Sequence, residues 1–333
     1  MENVFVTGGA GYIGSHTCKA LARAGYQPIV LDNLSTGHLW AVRWGPFKEG
    51  NIHDQLLVRS LIEKYKIKVM IHFAASAYVG ESMHHPDKYF QNNVANTLRL
   101  VDAAHEAGLK KIVFSSTCAT YGIPKRLPIT EKHPQKPVNP YGESKLFVEK
   151  VLDWYGIPHG IESVCLRYFN AAGADPEGEI GEDHTPETHL IPLVIEAAMG
   201  LRDWVGIFGT DYATDDGTAV RDYIHVQDLA DAHIRAVKYL LEGGTSQRLN
   251  LGTGHGYSVR EVIQAVQKVS GRKVPFQELE RRAGDPAVLV AQATAAQKRL
   301  GWTPKFTNLE DVVHTAWEWH RSHHGSRITT QAS

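Results

Sequence analysis

Through the first half of the chain, short apolar runs alternate with longer stretches whose apolar positions recur every three to four residues. The runs at 4–7, 28–31, 69–73, 111–115 and 163–167 are short and bounded by turn residues, so they read as strands. The stretches at 13–24, 56–65 and 92–107 carry helical periodicity. Strands alternating with helices predict an α/β fold with a doubly wound parallel sheet. Near Ala172 the texture changes to a loop-like run over 174–179, then to shorter, scattered strands. The reading is a first domain over 1–171 and a smaller C-terminal α/β lobe over 172–330. Residues 221–225, 228–241 and 248–251 again read as strand, helix and strand. They are expected to return to the first sheet, so the segment 220–252 belongs with it. The polar end, 322–333, is expected to fray, with His320, His323 and His324 in a solvated tail rather than a metal site.

Composition narrows the classes. At 333 residues and 43% hydrophobic content, a large core can be buried. A net charge of −1 without a dense basic run argues against nucleic acid and anionic membrane as partners. Cys18, Cys118 and Cys165 lie far apart and form neither a disulfide framework nor a zinc motif. No metal is expected. No apolar run approaches membrane-spanning length and no leader pattern precedes the first strand, so a cytoplasmic protein is expected.

A glycine loop supplies the first chemistry. Thr7-Gly8-Gly9-Ala10-Gly11-Tyr12-Ile13-Gly14 follows a strand and opens a helix. Gly8, Gly11 and Gly14 have GxxGxxG spacing, and Gly9, Gly11 and Gly14 also fit GxGxxG, the fingerprint of a dinucleotide-binding Rossmann unit. Such a loop lets pyrophosphate approach the backbone at a helix N-terminus. A Walker A loop would need Lys after Gly14, where Ser15 stands. Asp32 ends the second strand and is placed to accept from adenosine ribose hydroxyls while repelling a 2′-phosphate, which favours NAD over NADP. Asp32 can also cap the turn that follows.

The second feature is Asn139-Pro140-Tyr141-Gly142-Glu143-Ser144-Lys145. Pro140 suits the first turn of a helix, and Tyr141 and Lys145 then share one face. A nearby ammonium favours the phenolate and lowers the tyrosine pKa, making Tyr141 a base near neutral pH. Ser115-Ser116-Thr117-Cys118-Ala119-Thr120-Tyr121-Gly122 follows a strand, where parallel sheets present their sites, and a hydroxyl there can bridge the phenol and a substrate hydroxyl.

With the glycine loop, these motifs resemble the extended short-chain dehydrogenase/reductase superfamily. Further segments narrow the resemblance to UDP-glucose 4-epimerases: His72-Phe73-Ala74-Ala75, Val79-Gly80-Glu81-Ser82, Arg167-Tyr168-Phe169-Asn170, Arg221-Asp222-Tyr223-Ile224-His225-Val226, Asn250-Leu251-Gly252-Thr253-Gly254 and Arg281-Arg282-Ala283-Gly284-Asp285. The resemblance implies NAD-dependent inversion at C4 of a UDP-sugar through a 4-keto sugar. It makes Tyr141 the base, Thr117 the proton bridge, and Lys145 the residue that tunes Tyr141 and holds the nicotinamide ribose. It implies that Gly8, Gly11, Tyr12, Ile13, Gly14, Asp32, Asn33, Asn51, Ile52, Phe73, Ala74, Ala75, Asn93, Ser115, Lys145 and Tyr168 bind NAD. It implies that Thr117, Tyr141, Asn170, His189, Leu190, Phe208, Arg221, Arg282, Asp285 and Leu289 bind the nucleotide-sugar. By the same resemblance the partner is a second copy of the chain, a homodimer pairing helices 92–107 and 141–154.

Three departures from the family pattern bear on detail. Asn51 stands where Asp usually faces the adenine amino group, Ala77 where some members carry a cofactor-side Lys, and Leu289 where a Tyr would exclude an N-acetyl substituent. A 4,6-dehydratase would carry an Asp-Glu pair after the loop threonine, where Cys118 and Ala119 stand instead. A UDP-xylose/UDP-arabinose or UDP-N-acetylhexosamine epimerase stays open, as does a non-catalytic NAD sensor on the same fold.

Overall fold

The computed structural model describes residues 1–282 and 284–328; Ala283 of the Arg281–Asp285 motif and the tail beyond 328 lie outside the described residues. Seven parallel strands form the main sheet: β1 (Glu2–Thr7), β2 (Tyr26–Asp32), β3 (Phe47–Glu49), β4 (Val69–His72), β5 (Lys111–Thr117), β6 (Glu162–Tyr168) and β7 (Gln247–Leu251). Their order is β7-β6-β5-β4-β1-β2-β3. The chain winds outward in both directions from β1 and β4, so the crevice beyond their carboxyl ends is the switch point where such sheets bind ligands.

The continuous apolar runs follow from burial on both faces. Val4, Val6, Val30, Ile71 and Val113 join one core, and Phe5, Ile29, Leu31, Met70 and Phe114 the other. The helix Val226–Leu241 lays Leu229, Ala236 and Leu240 on the first core beside Cys18 and Leu21 of the helix Tyr12–Arg23. A third core, around Val194, Ile207, Val266 and Val313, holds the smaller lobe.

Several boundaries differ from the sequence expectation. β3, with Phe47 its single large apolar residue, has no period to betray it. The segment expected as one strand at 221–225 is two: Val220–Arg221 pairs with Tyr257–Ser258 and Val288–Leu289, while Tyr223–His225 pairs with Asn170–Ala172. Of the returning segment, β7 is the part that enters the main sheet, beside β6. Helical structure expected from 92 begins at Pro86 and passes through a π-helical turn, Phe90–Ala95, before Asn96–Glu106. The expected fraying is corrected for 322–328, since the helix Leu309–Ile328 runs through 322 and His320 is only 3% exposed; 329–333 lie outside the described residues. Val312, Val313, Ala316, Trp317 and Trp319 anchor that helix, which overrides the polar composition of its end. Among the described residues, no helix is long and apolar enough to cross a membrane.

Candidate active site

The glycine loop connects β1 to the helix Tyr12–Arg23 with the geometry a pyrophosphate needs. Gly8 has φ +77°, and a Cβ there would lie 2.5 Å from the Ala74 nitrogen. At Gly14 a Cβ would meet the Gly8 carbonyl oxygen at 2.1 Å, so helix and loop close on each other. At Gly11 the nearest atom would be 3.5 Å away, which leaves that side open to close approach. The helix has no side-chain cap and no acid in its first turn, so its N-terminal dipole is free to meet an anion. These features fit a dinucleotide.

Asp32 does cap its turn. Its two carboxylate oxygens accept from the amides of Ala10 and Leu34, each at 2.9 Å. Burial raises its pKa against those hydrogen bonds. Asn33 donates to the Asn51 side-chain oxygen at 2.9 Å, and Ile52 is buried beside them. Phe73, Ala74 and Ala75 continue from β4, with the Phe73 ring 4.6 Å from His233. The buried Asn93 amide is fully used: it donates to the Ser76 carbonyl and Ser144 hydroxyl and accepts from the Ser76 amide. Asn93 lies within the π-helical turn Phe90–Ala95.

At the end of β5 the Ser116 and Thr117 side chains and the Ser115 carbonyl face the helix Pro140–His159. Asn139 caps that helix by accepting from Gly142, and Pro140 occupies its first turn. The helix starts close against the turn Cys118–Tyr121, since a Cβ on Gly142 would sit 2.5 Å from the Ala119 carbonyl oxygen. This approach sets the Tyr141 phenol beside the Thr117 hydroxyl, close enough for Thr117 to favour the phenolate. Desolvation raises the phenol pKa, the Tyr168 hydroxyl adds to the rise, and Thr117 opposes it. The Tyr89 ring packs edge-on against Tyr141 at 6.3 Å, and the Tyr89 hydroxyl is tied to the Tyr78 carbonyl and Glu81.

Lys145 is placed differently from the expectation. Its ammonium donates to the Ser115 carbonyl at 2.9 Å, and burial lowers its pKa to about 7. In this arrangement burial, not Lys145, governs the phenol. The Ser115 hydroxyl is hydrogen-bonded to Tyr168, whose pKa burial pushes up to about 12.

The sequence reading missed two supporting groups. Ser116 donates to Glu149 at 2.5 Å, and Glu149 pairs with Arg167 at 2.5 Å, both side chains under 5% exposed. Burial alone would raise the Glu149 carboxyl, but the Arg167 guanidinium outweighs it and holds the pKa below its usual value. Arg167 also donates to Tyr121, which donates to Asn250, so the loop after Thr117 is pinned to the sheet. The second is Asp222, fully buried, whose carboxylate gathers the amides of Thr253, Gly254 and Ala291.

Asp222 thereby holds the wall on which the expected nucleotide-sugar residues stand. Arg221 is in register with Leu289 and forms an ion pair with Asp285. The Arg282 guanidinium lies 3.7 Å from the centre of the Phe208 ring. Arg282 and Asp285 line an open cleft of about 640 Å³ with Tyr212 and Arg281, a cleft that Tyr141 does not line. Asn170, half-buried, pairs with Tyr223. His189 occupies the N-cap position of the helix Leu190–Met199 without a side-chain capping bond, its ring turned toward Glu182 and Glu187. The fold thus separates an end that carries Thr117 and Tyr141 from an arginine-lined end in the smaller lobe.

Comparison with known proteins agrees with this geometry. The NAD dependent epimerase/dehydratase family matches residues 4–252. A UDP-glucose 4-epimerase of Rhizobium leguminosarum bv. trifolii is 54% identical over 319 residues, 96% of this chain and 97% of that protein. The crystal structure of UDP-glucose 4-epimerase from Brucella ovis in complex with NAD is 52% identical with TM-score 0.94, covering 96% of this chain and 98% of that one. That from Bifidobacterium longum in complex with NAD+ and UDP is 39% identical with TM-score 0.91, covering 96% and 98%. The chain belongs to the NAD dependent epimerase/dehydratase family, among its UDP-glucose 4-epimerases.

Proposed function

We propose that this protein interconverts UDP-glucose and UDP-galactose by inverting C4 of the hexose, with Tyr141, Thr117 and Lys145 as its proton-handling residues. The approach of Tyr141 to Thr117 at the carboxyl end of β5, on the edge of the sheet that also carries the glycine loop, supports this reading. NAD, when bound, supplies the acceptor and donor of the C4 hydrogen. Gly8, Gly11, Tyr12, Ile13 and Gly14 would hold its pyrophosphate, and Asp32, Asn33, Asn51 and Ile52 its adenosine. Phe73, Ala74, Ala75, Asn93, Ser115 and Tyr168 would line the rest, with Lys145 on the nicotinamide ribose.

Tyr141 takes the proton of the 4-hydroxyl with Thr117 bridging the two oxygens, and returns it on the opposite face after the sugar turns. Desolvation works against the phenolate and Thr117 opposes it; the remaining offset is assigned to the Lys145 ammonium. Arg221 and Arg282 suit the diphosphate, and Asn170, His189, Leu190, Phe208, Asp285 and Leu289 bound the nucleotide and sugar. No carboxylate follows Thr117 to eliminate the 6-hydroxyl, so the 4-keto sugar is reduced again.

The reaction belongs to galactose metabolism. Three unpaired, buried cysteines suit a reducing cytoplasm. A homodimer is favoured by Phe147 and Trp154, seven residues apart on the helix Pro140–His159 and 46% and 72% exposed.

Proton NMR of the anomeric signals of UDP-glucose, first without added NAD, tests the reading. UDP-galactose should grow to equilibrium, and Tyr141→Phe should slow it by about 100- to 10,000-fold. If UDP-glucose persists unchanged even with NAD while UDP-xylose is converted, the substrate is a pentose; if no UDP-sugar reacts, the catalytic assignment fails.

A further inference from the structure

Between the glycine loop and the helix Leu190–Met199 lies a cluster that shares His189 with the proposed nucleotide-sugar wall and whose other members, Glu182, His184 and Glu187, the proposed chemistry leaves unused. Glu182, His184, Glu187 and His189 each turn one donor atom to a common point, all within 4.8 Å of one another. His184 Nδ1 stands 3.3 Å from a Glu182 oxygen and 3.5 Å from Glu187 Oε2, and His189 Nδ1 stands 3.5 Å from Glu187 Oε1. A tetrahedron with bonds of roughly 2.0–2.1 Å has edges of about 3.3–3.4 Å; the His184–Glu182 pair keeps that separation, and the contacts to Glu187, made through its two different oxygens, stand at 3.5 Å. His189 Nδ1 and Glu182 Oε1 are closer, at 2.6 Å.

These contacts do not satisfy the atoms as hydrogen bonds. Glu182 Oε1, His184 Nδ1 and His189 Nδ1 are all buried without a hydrogen-bond partner, and Glu182 is only 3% exposed. Orphaned acceptors of this kind carry a substantial desolvation cost, and here they converge. Glu187 is anchored from behind, its Oε1 accepting from the amides of Thr188 and His189 at 2.6 and 2.7 Å. The His184 ring is set edge-on to Tyr12 and Tyr78 at 6.2 and 6.1 Å. Two carboxylates and two imidazoles make a mixed oxygen–nitrogen donor set, which a divalent cation takes up by displacing the imidazole protons.

We infer that Glu182, His184, Glu187 and His189 form a structural binding site for one divalent transition metal. The nitrogen–oxygen donor set suits zinc better than magnesium or calcium, which prefer more numerous oxygen ligands. Bound there, the metal fastens the segment 182–189 to Tyr12 of the glycine loop and fixes the first turn of the helix Leu190–Met199. It would take no part in the proton transfer at Tyr141. The alternative neutralisation, a proton on each imidazole, predicts no metal.

The decisive measurement is elemental analysis of untagged, full-length protein after exposure to zinc chloride and desalting. About one equivalent of zinc per chain is expected, together with a lower thermal midpoint after chelation by phenanthroline. Exchange with cobalt(II) chloride should give the visible absorption of a four-coordinate site. Glu182→Gln and, separately, His184→Gln should lose the metal and the chelator response. The wild-type zinc content and cobalt spectrum do not depend on whether either variant folds. Sub-stoichiometric zinc with no cobalt absorption overturns the proposal, as does equal metal retention in folded Glu182→Gln and His184→Gln.

Discussion

Gly142→Ala is the sharpest test of how the fold places the Tyr141 phenol. The added Cβ would lie 2.5 Å from the Ala119 carbonyl oxygen, 3.0 Å from its carbon and 3.3 Å from its Cβ. Non-bonded heavy atoms keep about 3.5 Å, so the helix start and the turn Cys118–Tyr121 must part by roughly 1 Å. Backbone supplies two of the three contacts, so a side-chain rotation cannot relieve them. Overpacking of this size costs about 1–3 kcal/mol, and the better helix propensity of alanine returns up to about 1 kcal/mol. The net stability loss should therefore stay near 0–2 kcal/mol, read as a small shift of the urea midpoint.

Activity should fall much further. The displaced contact is the one that joins Tyr141 to Thr117, and a misplacement of about 1 Å can cost a reaction roughly 100-fold. The assay is kcat for UDP-glucose epimerisation beside urea unfolding of the same preparation. A folded Gly142→Ala protein with wild-type kcat would refute the claim that this close approach sets the catalytic geometry.

Other perturbations separate the remaining roles. Glu149→Leu leaves Arg167 buried without its partner and should cost about 3–5 kcal/mol, most of it recovered by adding Arg167→Met; a single-variant loss under about 1 kcal/mol in urea unfolding would count against the network. Leu289→Tyr should reduce turnover of UDP-N-acetylglucosamine relative to UDP-glucose, and an unchanged ratio of kcat/KM would show that Leu289 does not bound the C2 substituent. Acid should destabilise the protein through His72, His225 and His233, whose pKa values burial lowers to about 3, 3 and 4. Their folded pKa values lie below the unfolded one, so this stability is present above about pH 6.5 and lost as pH falls toward 4. Urea unfolding should lose about 3–6 kcal/mol between pH 7 and pH 5, and a flat profile would mean that these imidazoles do charge inside the fold.

The strand and helix order was legible because the main sheet is buried on both faces, which writes its strands as apolar runs. β3 and the π-helical turn at Phe90–Ala95 escaped, since one has a single large apolar residue and the other departs from α-helical geometry. Asp222 was quoted within a motif, yet its role depends on amides 31, 32 and 69 residues away, which no local pattern reveals.

Glu149 is a different case, because its signal was present. Tyr141, Lys145 and Glu149 are successive i, i+4 positions of one helix and so form a single face. That face meets the end of β5 residue by residue: Tyr141 lies beside Thr117, Lys145 donates to the Ser115 carbonyl, and Ser116 donates to Glu149. The familiar tyrosine–lysine spacing is thus the visible two-thirds of a three-residue seam. A carboxylate at the third position is costly to bury alone, so its presence on that face demands a buried cation, which Arg167 on the adjacent strand β6 provides. Extending the i+4 register by one step, and asking what could neutralise Glu149, would have pointed to Arg167 from the sequence, although the direction of the Lys145 ammonium still required the fold.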